Sequence, residues 1–484
     1  MKTYLLTPLL IILAACSTSK NPNIILVMTD DQGYGDLSIH GSPDVLTPNI
    51  DLLHEQSIRF TDFQASPTCA PTRSAIMTGR APFNNGVTHT INERERMTLE
   101  AYTLAQLLSD NGYSTGIFGK WHLGDEEAYQ PDMRGFSRMF IHGAGGIGQS
   151  YNCSCADAPG NSYFDPIVKD NSLFVKTEGF CSDVFFDEGM RWIKENADKN
   201  QPFFAYIVTN APHSPYLAPD PFKQKFAEEG YGASAQGFYG MVENIDYNMG
   251  RLTANLDKWD LADNTILIFM TDNGKALSTD RGRPDGRSVK QYNAGMHGYK
   301  GTTYEGGTHV PFFIRWPKQW KEGIDIPQMA NHFDIFPTLA EITGAPIPDD
   351  KILDGQSLLP LILNPDVDWP DRYRVFHQGR WPIGAEPDSF KYTKFAVRNE
   401  RFRLVGMNEL YDIQADPGEK TNVIKQHPEV VDAMMTEYER WWTEARPLMV
   451  NEFVPMSKIK PYHVMYADQK KNDGILPWQK PDFK

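Results

Sequence analysis

Three short stretches of this 484-residue chain carry residues whose types and spacing could do chemistry. TDDQG at 29–33 and TDNG at 271–274 each follow an apolar run, so Asp30, Asp31, Asp272 and Asn273 stand where buried strands break into loops. All four offer oxygen. An all-oxygen set suits a hard cation such as Ca2+ or Mg2+, whereas zinc favours imidazole and thiolate. Each piece alone is also ordinary turn chemistry; two of them on two core strands point to a site. The third stretch is CAPTR at 69–73. Pro71 fits the first turn of a helix, a helix N-terminus favours an anion, and Arg73 lies one turn past Cys69 on the same side. Lys120 and His122 are two apart, and in extended chain they share a face while Trp121 points away. His213 follows an apolar run, and its ordinary pKa suits acid work near neutrality.

The elements that must hold these residues read as an α/β fold. NIILVMT at 23–29, residues 114–118, FFAYIV at 203–208, TILIFM at 265–270 and VPFFI at 310–314 are apolar enough for strands buried on both faces. Helices are expected from 47, over 100–110, over 183–198 and over 235–258, where Met241, Ile245, Met249, Leu252 and Leu256 recur at helical spacing. Alternation of this kind predicts a large, mostly parallel sheet sandwiched by helices, with ligands beyond the carboxyl ends of its strands. Gly33 and Gly274 would permit the breaks that bring the acidic pairs inward. After about residue 370 short alternating pieces appear, FAVR at 395–398, RFRL at 401–404 and ELYDI at 409–413, which suggest a small antiparallel sheet beside the main domain. The expected division is 22–370 and 371–484, with a tail from about 446 that has no clear periodicity.

A net charge of −15 argues against nucleic-acid binding, which needs basic surface. Lys2 and the apolar run LLIIL at 9–13 read as an export signal over 1–15, too short to span a bilayer. LAACS at 13–17 resembles a bacterial lipobox, which makes Cys16 a lipidation site and the protein an exported lipoprotein, anchored at the outer membrane and facing the periplasm, with the cell surface as the alternative. Cys153, Cys155 and Cys181 lie in one segment, and an oxidising compartment permits one disulfide there, Cys181 with Cys153 or Cys155.

CAPTR, followed by MTGR at 77–80, resembles the signature of the type I sulfatases of the alkaline-phosphatase-like superfamily. GKWHLG at 119–124, APH at 211–213, DNG at 272–274, GYKG at 298–301, LYD at 410–412 and DPGEKTN at 416–422 resemble further family motifs in the same order. The resemblance implies that a maturation enzyme oxidises Cys69 to formylglycine, the nucleophile for sulfate ester hydrolysis. It implies a cation, Ca2+ with Mg2+ possible, held by Asp30, Asp31, Cys69, Asp272 and Asn273. It gives Arg73, Lys120, His122, His213 and Lys300 to the sulfate and leaving group, and makes Asp272 both ligand and base. Two positions depart from the family. His309 in GGTHVP stands where arginine is frequent, and Asn84 and Asn85 stand near a frequent histidine–arginine pair.

The substrate so implied is a sulfated polysaccharide or oligosaccharide, algal by analogy, such as ulvan. His297 and His309 are candidates to line the substrate pocket, and Tyr151, Tyr163, Arg281, Arg283, Arg287 and Tyr292 to contact sugars or their charges. Two rivals share parts of the pattern: a phosphodiesterase or phosphonate hydrolase of the same superfold, and a glycan-binding lipoprotein without catalysis.

Overall fold

The computed structural model describes residues 21–152, 154–155, 163–276, 282–288, 292–456 and 458–483. Cys16, Cys153 and Arg281, and the side chain of Cys155, lie outside the described residues.

The centre is the strand Asn23–Thr29, buried along its whole length. Its alternate side chains feed two cores. Ile24, Leu26 and Met28 pack with Ile76, Met77, Leu104, Leu107, Ile335 and Leu339 on one face of the sheet. Ile25 and Val27 pack with Ile50, Val184, Phe185, Met241, Ile245 and Met249 on the other. A strand apolar from Ile24 to Met28 and buried throughout is therefore the seam between two helical layers, as the pleat requires. The central strands run in the order Thr265–Thr271, Asn23–Thr29, Phe203–Val208, Ser114–Lys120, Arg138–His142, all parallel. Antiparallel strands extend both flanks of this eleven-stranded sheet, Phe312–Arg315 beside Thr265–Thr271 and Ile167–Asp170 beside Arg138–His142.

A four-stranded antiparallel sheet, Arg374–His377, Phe395–Arg398, Phe402–Val405 and Glu409–Asp412, follows. The helix Pro428–Ala445 packs against it through Met434, Tyr438 and Trp442. The tail is more ordered than its sequence suggests: Pro461–Asn472 is helical, and Leu476–Pro477 adds a strand to the edge of the main sheet. No helix of the described residues is long and apolar enough to cross a membrane.

Cys181 corrects one expectation. It is a free thiol, wholly buried in the first turn of the helix Cys181–Asp198, and burial pushes its pKa up. It packs with Val184 and Phe180 as a small apolar group rather than joining a disulfide.

Candidate active site

Four strand ends and one helix start meet at one edge of the sheet. The chain turns out of the first strand at Asp31 itself, which takes φ 70°, rather than at Gly33. Gly274 serves close approach instead of conformation: a Cβ there would stand 2.0 Å from the Gly306 carbonyl. Gly119 at the end of Ser114–Lys120 has φ 116°, and a Cβ there would meet the Val208 carbonyl at 1.8 Å. Lys120 thus ends its strand one residue past the last pairing with Phe203–Val208, and His122 lies beyond the ladder.

Cys69 is the first residue of the helix Cys69–Thr78, all ten residues of which are buried. Its sulfur and carboxylate oxygens of Asp30 and Asp272 lie within 4.8 Å of one another. Arg73 donates from Nη2 to Asp272 Oδ2 at 2.7 Å and from Nη1 to the Lys120 carbonyl at 3.1 Å, and stands 3.8 Å from Asp30 Oδ1. Lys120 Nζ donates to Asp30 Oδ2 at 2.7 Å. Lys300 pairs with Asp31 at 2.6 Å, and Asn273 Nδ2 donates to Asp31 Oδ1 at 3.0 Å. His213 stands with Nε2 3.7 Å from Asp31 Oδ2. Three carboxylates thus face Arg73, Lys120 and Lys300, a balance that leaves room for a divalent cation together with a divalent anion.

The charges shift one another's protons. Burial, reinforced for Asp272 by its neighbour Asp30, raises the Asp30 and Asp272 carboxyls to about 6. Burial also opposes ionisation of Asp31, yet Lys300 outweighs it and holds this carboxylate well below the usual range. The Cys69 thiol is lowered, because Lys120 and Lys300 overcome the effect of burial. Burial lowers His213, with Asp31 acting against it.

Two buried oxygens in the cluster, Asp30 Oδ1 and Asn273 Oδ1, have no hydrogen-bond partner. A buried acceptor without a donor costs about 1–3 kcal/mol, so such oxygens persist where a cation takes the donor's place. The donor set therefore fits a hard cation held by Asp30, Asp272 and Asn273 beside residue 69, with Asp31 at the rim.

His122 departs from the shared face expected of it. Its φ of 63° takes it off the extended backbone on which that face depends; Nε2 lies 2.8 Å from the Thr90 carbonyl and 3.4 Å from Glu95 Oε2. Burial, with Lys120 adding, lowers its pKa to about 4, so the ring is neutral near pH 7. Glu95 is held by the Tyr151 and Ser154 hydroxyls. Glu95 went unread in the sequence because charge runs ordinarily face solvent; INERERM at 91–97 is instead turned inward, and Glu93 to Arg96 are all buried.

The peripheral candidates divide. Tyr151 meets Glu95 rather than open solvent. Tyr163 is buried, and its hydroxyl donates to the His213 and Ser214 carbonyls at 3.0 Å, which fixes the histidine loop rather than a sugar. Arg283 pairs with Asp44, Arg287 with Asp285, and the Tyr292 hydroxyl donates to the His40 carbonyl. His297 is exposed and stacks on Tyr304 at 4.0 Å, outside the inner cluster. His309 uses both ring nitrogens within the protein, Nδ1 with Glu305 at 3.0 Å and Nε2 with the Thr61 carbonyl at 2.9 Å. Asn84 donates to Asp354 at 2.8 Å, and Asn85 to Thr78 at 3.1 Å, so neither reaches the cluster.

A family profile described as Sulfatase matches residues 22–345. A second, described as N-sulphoglucosamine sulphohydrolase, C-terminal, matches residues 295–442. The chain is 31% identical over 486 residues to the N-acetylgalactosamine-6-O-sulfatase of Bacteroides thetaiotaomicron, covering 85% of this chain and 91% of that protein. It is 30% identical to human arylsulfatase A, covering 88% of this chain and 89% of that one. The crystal structure of Ps i-CgsB in complex with k-i-k-neocarrahexaose superposes with a TM-score of 0.75 at 28% identity, over 94% of this chain and 98% of that one.

Proposed function

The chain belongs to the sulfatase family and is a sulfuric ester hydrolase, and we propose that it removes sulfate ester groups from a sulfated polysaccharide or oligosaccharide using residue 69 in its formylglycine form. The observation that carries this is Cys69 itself. It is wholly enclosed at a helix start, against two carboxylates and within the field of Lys120 and Lys300, a place where a working thiol has no evident partner. Oxidised to the aldehyde by a maturation enzyme, residue 69 would supply as its hydrate one hydroxyl to attack sulfur and a second to release sulfate. Calcium, held by Asp30, Asp31, Asp272 and Asn273, would supply charge neutralisation and a lower pKa for the attacking hydroxyl.

The chain's own residues do the rest. Arg73 fixes the Asp272 carboxylate and the Lys120 carbonyl, so the two strand ends keep their spacing. Lys120 and Lys300 present ammonium groups to sulfate oxygens and offset charge that grows as the ester bond stretches. His213, on the half-open side of the cluster, can give a proton to the departing alcohol. His122, neutral near pH 7, donates its one N–H from Nε2 to the Thr90 carbonyl beside Glu95, which leaves Nδ1 as an acceptor.

A sulfated carbohydrate is supported by the relatives: N-acetylgalactosamine-6-sulfatases on one side and a neocarrahexaose complex on the other. An algal polysaccharide such as ulvan is the particular case we infer, by analogy with exported bacterial sulfatases. Export as a lipoprotein through Cys16 is part of the same reading; Cys16→Ser should move the protein from membrane to soluble fraction, and unchanged fractionation would overturn the anchor. The central test is mass spectrometry of the peptide containing residue 69 after co-expression with a maturation enzyme, alongside turnover of 4-nitrophenyl sulfate and 4-nitrophenyl phosphate. Conversion to the aldehyde with preference for sulfate is expected. An unconverted thiol with full activity, or a preference for phosphate, would sink the proposal.

A further inference from the structure

Beyond the inner cluster lies a cavity of about 590 Å³ between the Lys300 loop and the C-terminal sheet. Its walls include Lys300, Tyr304, Gln378, Arg380, Lys394 and Glu409. It touches the inner cluster from two directions. Lys300 leads to Asp31 at 2.6 Å. On the other side, Arg380 Nη2 donates to Thr90 Oγ1 at 3.0 Å, and the Thr90 carbonyl is the hydrogen-bond partner of His122.

The charge here is one-sided in a chain of net −15. Arg380 makes no ion pair among the described residues, and its guanidinium donates from Nη2 to Thr90 Oγ1 at 3.0 Å at the cavity wall. A guanidinium at a cavity wall with no carboxylate partner keeps its charge available for an arriving anion. The one acid in the wall, Glu409, is already engaged, accepting from the Tyr304 and Tyr411 hydroxyls at 2.8 and 2.9 Å. Lys394 is exposed at the same wall. Gln378 reaches the Lys300 loop closely enough that a Cβ on Gly301 would stand 3.1 Å from its Nε2. A forked donor, an ammonium and an amide around one cavity suit an oxyanion on a sugar ring.

We propose that this cavity is a second anion subsite, in which Arg380, with Lys394 and Gln378, binds a sulfate or carboxylate substituent on a sugar next to the one attacked. It rests on the sulfatase reading above and makes that site selective for chains with more than one negative group. The C-terminal sheet then contributes to substrate choice and not to the chemistry of sulfate release.

The test compares the wild type with Arg380→Gln and Lys394→Gln on 4-nitrophenyl sulfate and on two hexasaccharides, a sulfated carrahexaose and a chondroitin sulfate hexasaccharide. Binding of both hexasaccharides is measured by calorimetry on the Cys69→Ala chain with and without each substitution. Losing one charge-assisted contact should weaken hexasaccharide binding about tenfold. It should also raise KM for the hexasaccharide about tenfold more than for the aryl sulfate, with kcat little changed. A loss with the carrahexaose, which has no carboxylate, assigns the subsite to sulfate, and a loss with the chondroitin sulfate alone assigns it to a carboxylate. Equal losses on aryl sulfate and hexasaccharide, no loss on either, or no binding of either hexasaccharide would overturn the subsite. No turnover of 4-nitrophenyl sulfate, with hexasaccharide binding still weakened by Arg380→Gln, would overturn the sulfatase reading instead and leave the subsite standing.

Discussion

Among the described residues, two groups of acids and bases look alike by composition and differ in how their atoms are spent. One is the cluster of Asp30, Asp31, Asp272, Arg73, Lys120 and Lys300. The other joins the two sheets: Asp62, Glu305 and His309 also bring ligand atoms within 4.8 Å of one another. There, however, Glu305 Oε1 accepts from Arg398 at 3.0 Å and from Arg403 at 2.6 Å, and Oε2 accepts from Gln64 at 3.2 Å and lies 3.0 Å from His309. Arg398 also donates to Asp62 at 2.8 Å. The Glu305 carboxylate is saturated by cations the chain already owns, and its pKa lies well below the usual range, as Arg403 and Arg398 outweigh burial. In the first cluster Asp30 and Asp272 are held up at about 6, and two oxygens lack donors. Proximity of acids does not make a metal site; unspent acceptors do. The first group is built for something that arrives, and the second is a clasp.

The largest expected effect separates chemistry from clasp. Cys69→Ser removes the residue proposed as the precursor of the nucleophile and should lower turnover of 4-nitrophenyl sulfate by about 10⁴-fold, roughly 5.5 kcal/mol. Its circular dichroism and melting temperature should stay close to wild type, because serine is small and the helix around it is unchanged. Retention of even a tenth of the activity would show that residue 69 is not the reacting group.

Glu305→Gln is the matching break on the other side. Removing the carboxylate leaves Arg398 and Arg403 buried beside a neutral amide, which costs about 3–5 kcal/mol. The denaturation midpoint should fall clearly, while activity per folded molecule changes little. A stable variant with lost activity would reverse the roles assigned to the two clusters.

Calcium sharpens the same contrast through pH. The folded metal-free chain keeps protons on Asp30 and Asp272 at pH values where an unfolded chain, titrating near 4, has released them. Stability of the metal-free fold therefore falls as pH rises from about 4 to about 6. Above that range both groups are ionised and bind the cation without displacing protons. Calcium at about a hundredfold its dissociation constant should add about 2.7 kcal/mol at pH 7 and distinctly less at pH 5. The gain should persist in Glu305→Gln. Equal gains at both pH values would contradict the assignment of these carboxylates.

The sequence made the inner acids legible because two apolar strands both end in acidic residues; either end alone would pass for a turn. It also carried Cys69, Pro71 and Arg73, whose spacing is local. What it hid is long-range. Glu95 lies in a charge run that reads as solvated, yet tertiary contacts with His122 and Tyr151 draw it inside. Tyr163 read as a sugar contact and is a strut for the His213 loop. Cys181 read as half of a disulfide and is core. The helix Pro461–Asn472 has almost no apolar face to announce it, and only Tyr462 along it is buried.

His309 gives the smallest expected effect and the finest cut. It borders the clasp and also a cavity of about 460 Å³ that includes Tyr34 and Met296, so the substrate role expected of it and the structural role observed make different demands. Its ring bridges Glu305 and the Thr61 carbonyl, and Glu305 raises its pKa although burial acts to lower it. A raised histidine contributes stability in full at low pH and loses it as pH rises through the folded value. His309→Gln keeps one donor and one acceptor but no charge. The variant should lose under about 1 kcal/mol at pH 7 and more at pH 5, where the wild-type ring is charged and paired. Its kcat/KM on a carrahexaose and on 4-nitrophenyl sulfate should stay within about twofold of wild type. A selective loss on the oligosaccharide would return His309 to the substrate, because a residue that only clasps two sheets has no means of telling a sugar from an aryl group.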